Sequence, residues 1–230
     1  DFHLDRRQPA AIFSGPNAGG KTIAMKSVGL ACLMTRLGLP IPADENLRVD
    51  FISRIFADIG DSQTVQEGLS SFSAHLLYIN EVLENADKDS LVLFDEIGMG
   101  TDPVQGAAIA QAVVEQLLEQ GTKMVVTTHF TRIKALATVD ERFSVAAMEF
   151  INGKPTYRLL WGEVGESHAL SLAKRMALPE TLLWRAKELM SSSERKIVNL
   201  VEELERQRSE LKQKDEELDF LKKDYQQRVD

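Results

Sequence analysis

Two short stretches carry residue types suited to phosphate chemistry. Gly15-Pro16-Asn17-Ala18-Gly19-Gly20-Lys21-Thr22 fits the pattern G-x-x-x-x-G-K-[ST]. It lies between an apolar run, Ala11-Ile12-Phe13-Ser14, and a helical stretch from about Lys21 to Leu37, the context in which that pattern carries meaning. Glycines let backbone N–H groups curl around phosphates, and the helix N-terminus adds partial positive charge. Lys21 is then expected to reach the β- and γ-phosphates of ATP, and the Thr22 hydroxyl to ligate Mg²⁺. The second stretch is Leu91-Val92-Leu93-Phe94-Asp95-Glu96, which places two carboxylates where a buried strand leaves a sheet. Asp95 is expected to hold Mg²⁺, directly or through water, and Glu96 to polarise the attacking water as a general base. A glutamate directly after the metal-binding aspartate is typical of ATPases that need no added activating protein.

Three further features have a plain and a functional reading. Ser70 or Ser71, in Gly68-Leu69-Ser70-Ser71-Phe72, suits a helix N-cap. In ATPases whose nucleotides lie between two subunits, a serine at such a helix end faces the γ-phosphate of the opposite subunit. His129 follows Val125-Val126-Thr127-Thr128 at a strand end, where it serves either as a structural residue or as a sensor of the γ-phosphate. Gly98-Met99-Gly100-Thr101-Asp102-Pro103 is a tight loop straight after the acidic pair. It is either a simple turn or a stretch that carries information across a dimer. His75 and His168 have no Cys or His at metal-ligand spacing, so no zinc site is assigned.

These groups need a scaffold, and the apolar pattern supplies one. Ala11–Ser14, Arg54–Ala57, Leu91–Phe94 and Met124–Thr127 read as short strands, the buried ones as continuous apolar runs. Helices are expected from Lys21 to Leu37, from Ser70 to about Glu84 with Phe72, Leu76, Ile79 and Leu83 on one face, and from Gly106 to Gln120, stopped by Gly121. Strand–helix–strand alternation calls for an α/β fold, a mostly parallel sheet with flanking helices. Phe143–Phe150 and Thr156–Trp161, around Asn152-Gly153, are expected to add an antiparallel extension. Trp161-Gly162-Glu163-Val164-Gly165-Glu166-Ser167 leads into a further helix with Ser167 as its N-cap.

Together, Gly15–Thr22, Ser70-Ser71-Phe72, Asp95-Glu96-Ile97-Gly98-Met99-Gly100-Thr101 and Thr127-Thr128-His129 resemble the ATPase domain of MutS proteins, over about residues 1–190. Thr22 where mismatch-repair MutS usually has Ser, Ser73-Ala74-His75 where Met-Val-Glu is usual, and Thr101-Asp102-Pro103 for Thr-Ser-Thr lean away from that branch. Phe56-Ala57-Asp58-Ile59-Gly60-Asp61, Ala147-Met148-Glu149-Phe150 and Pro155-Thr156-Tyr157-Arg158-Leu159 are similar to the second bacterial branch, which often ends in an Smr nuclease domain. The resemblance implies a P-loop NTPase of the ABC type that forms a homodimer around nucleotide. Lys21, Thr22, Asp95, Glu96 and His129 are then expected to act in cis, and Ser70 in trans on the partner's ATP. It also implies branched or recombination-intermediate DNA as the substrate of the whole protein, with suppression of recombination; in some bacteria the branch is associated with stalled ribosomes. The family usually supplies an aromatic stack for adenine from a region preceding the phosphate loop. With 14 residues before Gly15, Phe2 is one candidate here, and Tyr157 and Trp161 are others.

From Ser191 onward there is no glycine, proline or cysteine. Ile197, Leu200, Leu204, Leu211, Leu218, Leu221 and Tyr225 follow 3–4 spacing, interrupted by Gln207 and Lys214, so residues 191–230 are expected to begin a coiled-coil helix. Its 9 basic and 11 acidic residues describe a solvated surface rather than a basic DNA-binding stripe. It ends without a stop signal, which reads as a piece of something longer. The whole chain has 27 Lys+Arg against 35 Asp+Glu, a net charge of −8, so this segment is not expected to grip nucleic acid by charge. Cys32 is the single cysteine, which excludes an internal disulfide framework and points to a reducing, cytoplasmic setting. No run of about 18 apolar residues exists to span a bilayer. Two competitors are a mismatch-repair sensor ATPase and a non-MutS nucleotide switch. A transporter-coupled ATPase would need Leu-Ser-Gly-Gly-Gln where Leu69-Ser70-Ser71-Phe72 stands, and the 74 positions from Lys21 to Asp95 leave no room for the long coiled coil of chromosome-organising ATPases.

Overall fold

Strands buried on both faces dominate the centre of the protein. A computed structural model describes residues 3–16, 19–60, 71–151, 154–163, 173–174 and 176–190. The chain divides into two compact units, Asp1–Ala169 and Leu170–Asp230. Among the described residues, the first holds six strands, β1 (Ala10–Ser14), β2 (Arg54–Asp58), β3 (Ser90–Phe94), β4 (Lys123–Thr127), β5 (Phe143–Ile151) and β6 (Lys154–Trp161). Four helices accompany them, α1 (Lys21–Arg36), α2 (Ser71–Asn85), α3 (Pro103–Glu119) and α4 (Thr131–Val139). The described part of the second unit contains α5 (Glu180–Leu189), with Glu180 in its first turn and Lys187 in its last, both favourable to the helix dipole. The expected coiled coil, the Asn152-Gly153 turn and the Ser167 cap lie outside the described residues.

The sheet order is β2-β3-β4-β1-β5-β6. All neighbours are parallel except β5 and β6, which form the expected antiparallel pair. Alternate side chains fill two layers. Ile12, Val92, Phe94, Met124, Val126 and Val145 meet α2, α3 and α4 on one face, while Phe13, Leu91, Leu93 and Val125 meet Met25 and Cys32 of α1 on the other. Because β1, β3 and β4 run in one direction and are adjacent, their C-terminal ends open at one sheet edge, where ligands of open α/β sheets bind.

The helices differ from the sequence reading in three places. On α2 the core-facing residues are Ile79 and Val82 with Tyr78 and Leu83 beside them, whereas Phe72 and Leu76 are only half-buried. The packed stripe is rotated towards Tyr78 and Val82, which puts His75, one turn earlier, against β2. Helix α3 starts at Pro103 rather than Gly106, because the Asp102 carboxylate accepts hydrogen bonds from Val104 and Gln105 N–H and Pro103 sits where its missing N–H costs nothing. Helix α4 was not expected: Phe130 at its N-cap offers no side-chain acceptor, and Ile133 and Leu136 bury it through the core instead.

The loop after β3 is clamped to α3 by two facing glycines. A Cβ on Gly106 would lie 2.3 Å from the Gly98 carbonyl oxygen, and one on Gly98 would lie 2.5 Å from the Gly106 oxygen. Gly98 also has φ +82, a conformation that side chains disfavour. Gly106→Ala is therefore expected to destabilise the domain by about 1–3 kcal/mol through overpacking. In thermal unfolding, that corresponds to a midpoint lower by roughly 2–4 °C per kcal/mol; an unchanged midpoint would show that the loop moves away freely.

Candidate functional site

The phosphate-loop pattern emerges from β1 directly into α1. Gly15 has φ +119 and Gly20, the N-cap of α1, has φ +96. Gly19 N–H donates to the Pro16 carbonyl at 3.0 Å, closing the turn. The first turn of α1 carries no acidic residue, so the positive end of the helix is not compensated locally. Asn17 and Ala18 lie outside the described residues. The β5–β6 pair braces this loop: a Cβ on Gly19 would lie 2.9 Å from Met148 Cβ, and one on Gly20 would lie 3.1 Å from the Tyr157 ring. Of the aromatic candidates, Trp161 packs against the core, Tyr157 stays exposed beside Gly20 with φ +60, and Phe2 lies outside the described residues.

Lys21 is almost completely buried, and its ammonium donates to the Gly15 carbonyl. Burial pushes its pKa below the ordinary 10.5; Glu96 and Asp95 counter this, and the buried Lys134 of α4 adds to the depression. The Thr22 hydroxyl donates to Asp95 Oδ2 at 2.7 Å, which joins the loop to the acidic strand end across 73 residues. The other Asp95 oxygen accepts from the Thr127 hydroxyl, whose own oxygen accepts the Glu96 N–H at 2.8 Å. His129 Nε2 lies 2.9 Å from Glu96 Oε1, and an ionised carboxylate only accepts, so the ring nitrogen is the donor. Glu96 has φ +55, a strained value for a residue with a side chain, of the kind that concentrates at functional sites.

Lys21, Thr22, Asp95, Glu96 and His129 therefore meet at one sheet edge. Strand β4 lies between β1 and β3, and this order inserts Thr127 and His129 between the loop and the acidic pair. The Thr22 hydroxyl and Asp95 carboxylate form a hard-oxygen donor pair, which suits Mg²⁺ bound by few protein ligands and several waters. Ser70 lies outside the described residues; the helix it was expected to open begins at Ser71. Sequence reasoning assigned no role to Thr127. A hydroxyl ending the otherwise apolar Met124-Val125-Val126 run was the available signal, since a buried polar group needs a partner.

Residues 11–194 match the family description MutS domain V. The chain belongs to the MutS family. MutS relatives named Endonuclease MutS2 include one from Fusobacterium nucleatum, 45% identical over 212 residues, 91% of this chain and 27% of the relative. Another, from Clostridium kluyveri, is 40% identical over 226 residues, 97% of this chain and 29% of the relative. A third, from Thermomicrobium roseum, is 45% identical over 212 residues, again 91% and 27%. The chain thus spans between a quarter and a third of these MutS relatives. Among the described residues, no helix is long and apolar enough to cross a membrane.

Two outcomes follow from this geometry. Thr127→Val keeps the volume but leaves Glu96 N–H without its acceptor, so a loss of about 1–3 kcal/mol is expected in chemical denaturation, with Thr127→Ser retaining most of the stability; equal stability of Val and Ser variants would dismiss the bridge. For Lys21, the folded state releases its proton at lower pH than the unfolded chain. Between the two pKa values unfolding takes up a proton, so stability rises with pH in that interval. Denaturation midpoints from neutral pH to about pH 10 are expected to rise for the wild type relative to Lys21→Met; parallel curves would remove Lys21 as the source.

Proposed function

We propose that residues 1–190 form an ATP-binding and ATP-hydrolysing domain, a P-loop NTPase of the ABC type, and that residues 191–230 begin a coiled coil. The observation carrying this reading is the direct contact of Thr22 with Asp95, which brings the phosphate-loop pattern and the acidic strand end together beside the Glu96–His129 pair. The family match over residues 11–194 supports the same extent.

In this reading the N–H groups around Gly15–Thr22, the start of α1 and Lys21 bind the phosphates, including the stretch through Asn17 and Ala18. Thr22 and Asp95 would hold Mg²⁺, which, when bound, supplies charge neutralisation on the phosphate oxygens. Glu96 accepts a proton from water as the water oxygen bonds to the γ-phosphorus; the bond to the bridging oxygen breaks and ADP leaves with that electron pair. His129 holds one Glu96 oxygen and so orients the other. Ser70 acts in trans on the partner's ATP, which makes the active form a homodimer with two composite sites. Of the two described aromatic candidates, exposed Tyr157, beside Gly20, is better placed than Trp161 to stack on adenine.

ATP closure and hydrolytic reopening would be coupled, in the whole cytoplasmic protein, to branched or recombination-intermediate DNA and to suppression of homologous recombination. With its net charge of −8, this segment serves as the engine and not as the grip. Nuclease activity, as in the name borne by the relatives, would lie outside this chain.

Glu96→Gln is expected to bind ATP while phosphate release falls by at least about a hundredfold, and to accumulate a dimer in light scattering with ATP. Hydrolysis equal to wild type would remove Glu96 as the base. Mixing Ser70→Ala with Lys21→Ala subunits tests the trans role: one working site per mixed dimer is the most that can form, so full wild-type turnover would exclude it.

A further inference from the structure

Asp58 closes β2, an outer strand of the sheet, and is bonded through two of its groups. Its carbonyl accepts the Asp95 N–H at 2.9 Å. Its carboxylate lies 2.6 Å from Nδ1 of His75, one turn inside α2, and both side chains are half-buried. A bonded path therefore runs from the first turns of α2 through His75 and Asp58 to the backbone of Asp95, and on from the Asp95 carboxylate to Thr22 and Thr127. One turn further along α2, the Tyr78 hydroxyl accepts the Ala57 N–H at 2.9 Å. At the far end of the helix, the Arg54 guanidinium donates to the Asn85 carbonyl at 2.6 Å. Helix α2 is thus tied to this strand at Arg54, Ala57 and Asp58, and of these three residues Asp58 is the one bonded to Asp95.

Of the polar ties that supplement the apolar packing of α2, the His75 one lies nearest the start of the helix. Ile79 and Val82 fix how closely the helix packs, yet apolar contacts tolerate sliding, whereas a short carboxylate–imidazole bond fixes position along and around the axis. The residues that need such fixing are those at the helix end nearest Ser70.

We propose that His75 and Asp58 are a positioning pair that sets the N-terminal end of α2 against Asp95, so that the helix end acting on the partner's nucleotide and the carboxylate serving the protein's own nucleotide move as one unit. This rests on the ATPase reading above. Neither residue touches nucleotide in it, and their effect is on turnover rather than on binding in cis.

The experiment measures phosphate release and fluorescent-ATP affinity of the full-length protein. His75→Ala and Asp58→Ala are each expected to lower kcat about tenfold, with ATP affinity changed by less than about twofold, and the double variant is expected to be no slower than either single one. His75→Asn places an amide donor close to where Nδ1 stood, and is expected to recover kcat to within about threefold of wild type. Tyr78→Phe is the control for anchoring alone: its thermal midpoint falls, while kcat stays within about twofold. The proposal is overturned if His75→Ala and Asp58→Ala turn over like wild type while Glu96→Gln is inactive, an outcome that leaves the ATPase reading standing. It is equally overturned if Tyr78→Phe loses as much kcat as His75→Ala, or if the two alanine effects multiply. A wild type without activity that Glu96→Gln removes would end both readings together.

Discussion

The Asp95 carboxylate is the constraint on which the candidate site depends. One oxygen takes the Thr22 hydroxyl from the first turn of α1, and the other takes the Thr127 hydroxyl from the end of β4. Three segments far apart in sequence thereby share one small acidic group. Ionised carboxylates accept and never donate, so both neighbours must be donors, and a threonine hydroxyl at each position meets that demand. Thr127 remains free to accept as well, which it does from Glu96 N–H, so the same hydroxyl that holds Asp95 also holds the backbone at the strained Glu96. Bonds to charged groups are worth more than neutral ones and cost more to break. Strain at Glu96 persists because these partners over-determine it.

The sheet order makes the constraint achievable. If β1 and β3 were neighbours, the end of β4 would not stand between Thr22 and Asp95, and neither Thr127 nor His129 would stand beside Glu96. With β4 between them, its last residues fill the gap. The apolar layers hold that order: Ile12, Val92 and Val126 sit in one layer and Phe13, Leu93 and Val125 in the other, so slipping β4 by one residue would exchange its side chains between the two layers and withdraw the Thr127 hydroxyl from Asp95.

The elements legible in the sequence were those whose partners lie close by or whose burial is total. Strands β1, β3 and β4 announce themselves as apolar runs because both faces are covered, and the β5–β6 pair by two apolar runs around a turn signal. The phosphate loop is legible because its glycines and Lys21-Thr22 act within eight consecutive residues. Long-range polar geometry was not legible. Nothing in the neighbourhood of Thr127 says that its partners are 31 and 32 positions away, and nothing near Tyr157 says that it adopts φ +60 beside Gly20. The start of α3 had a readable signal, Asp102 followed by Pro103, which the two glycines before it obscured; α4 has no side-chain N-cap and owes its existence to tertiary burial, which overrides propensity. His75 and Asp58 appear in the sequence only as parts of two separate stretches, and their pairing follows from the rotation of α2 that Val82 and Tyr78 impose.

Charge explains why so polar a cluster tolerates a buried lysine. Lys21 pays for its burial with a lowered pKa, and Lys134 nearby makes matters worse, so the two cations are mutually unfavourable. Asp95 and Glu96 offset this, but both also repel any polyphosphate brought to the loop. A phosphate group arriving at the α1 N-terminus relieves the lysines while it burdens the carboxylates, and a hard cation at Thr22 and Asp95 relieves the carboxylates in turn. Neither ligand alone leaves the edge electrostatically settled. In the proposed ATPase reading, this arrangement of Lys21, Lys134, Asp95 and Glu96 would favour a nucleotide bound together with its metal over either species separately.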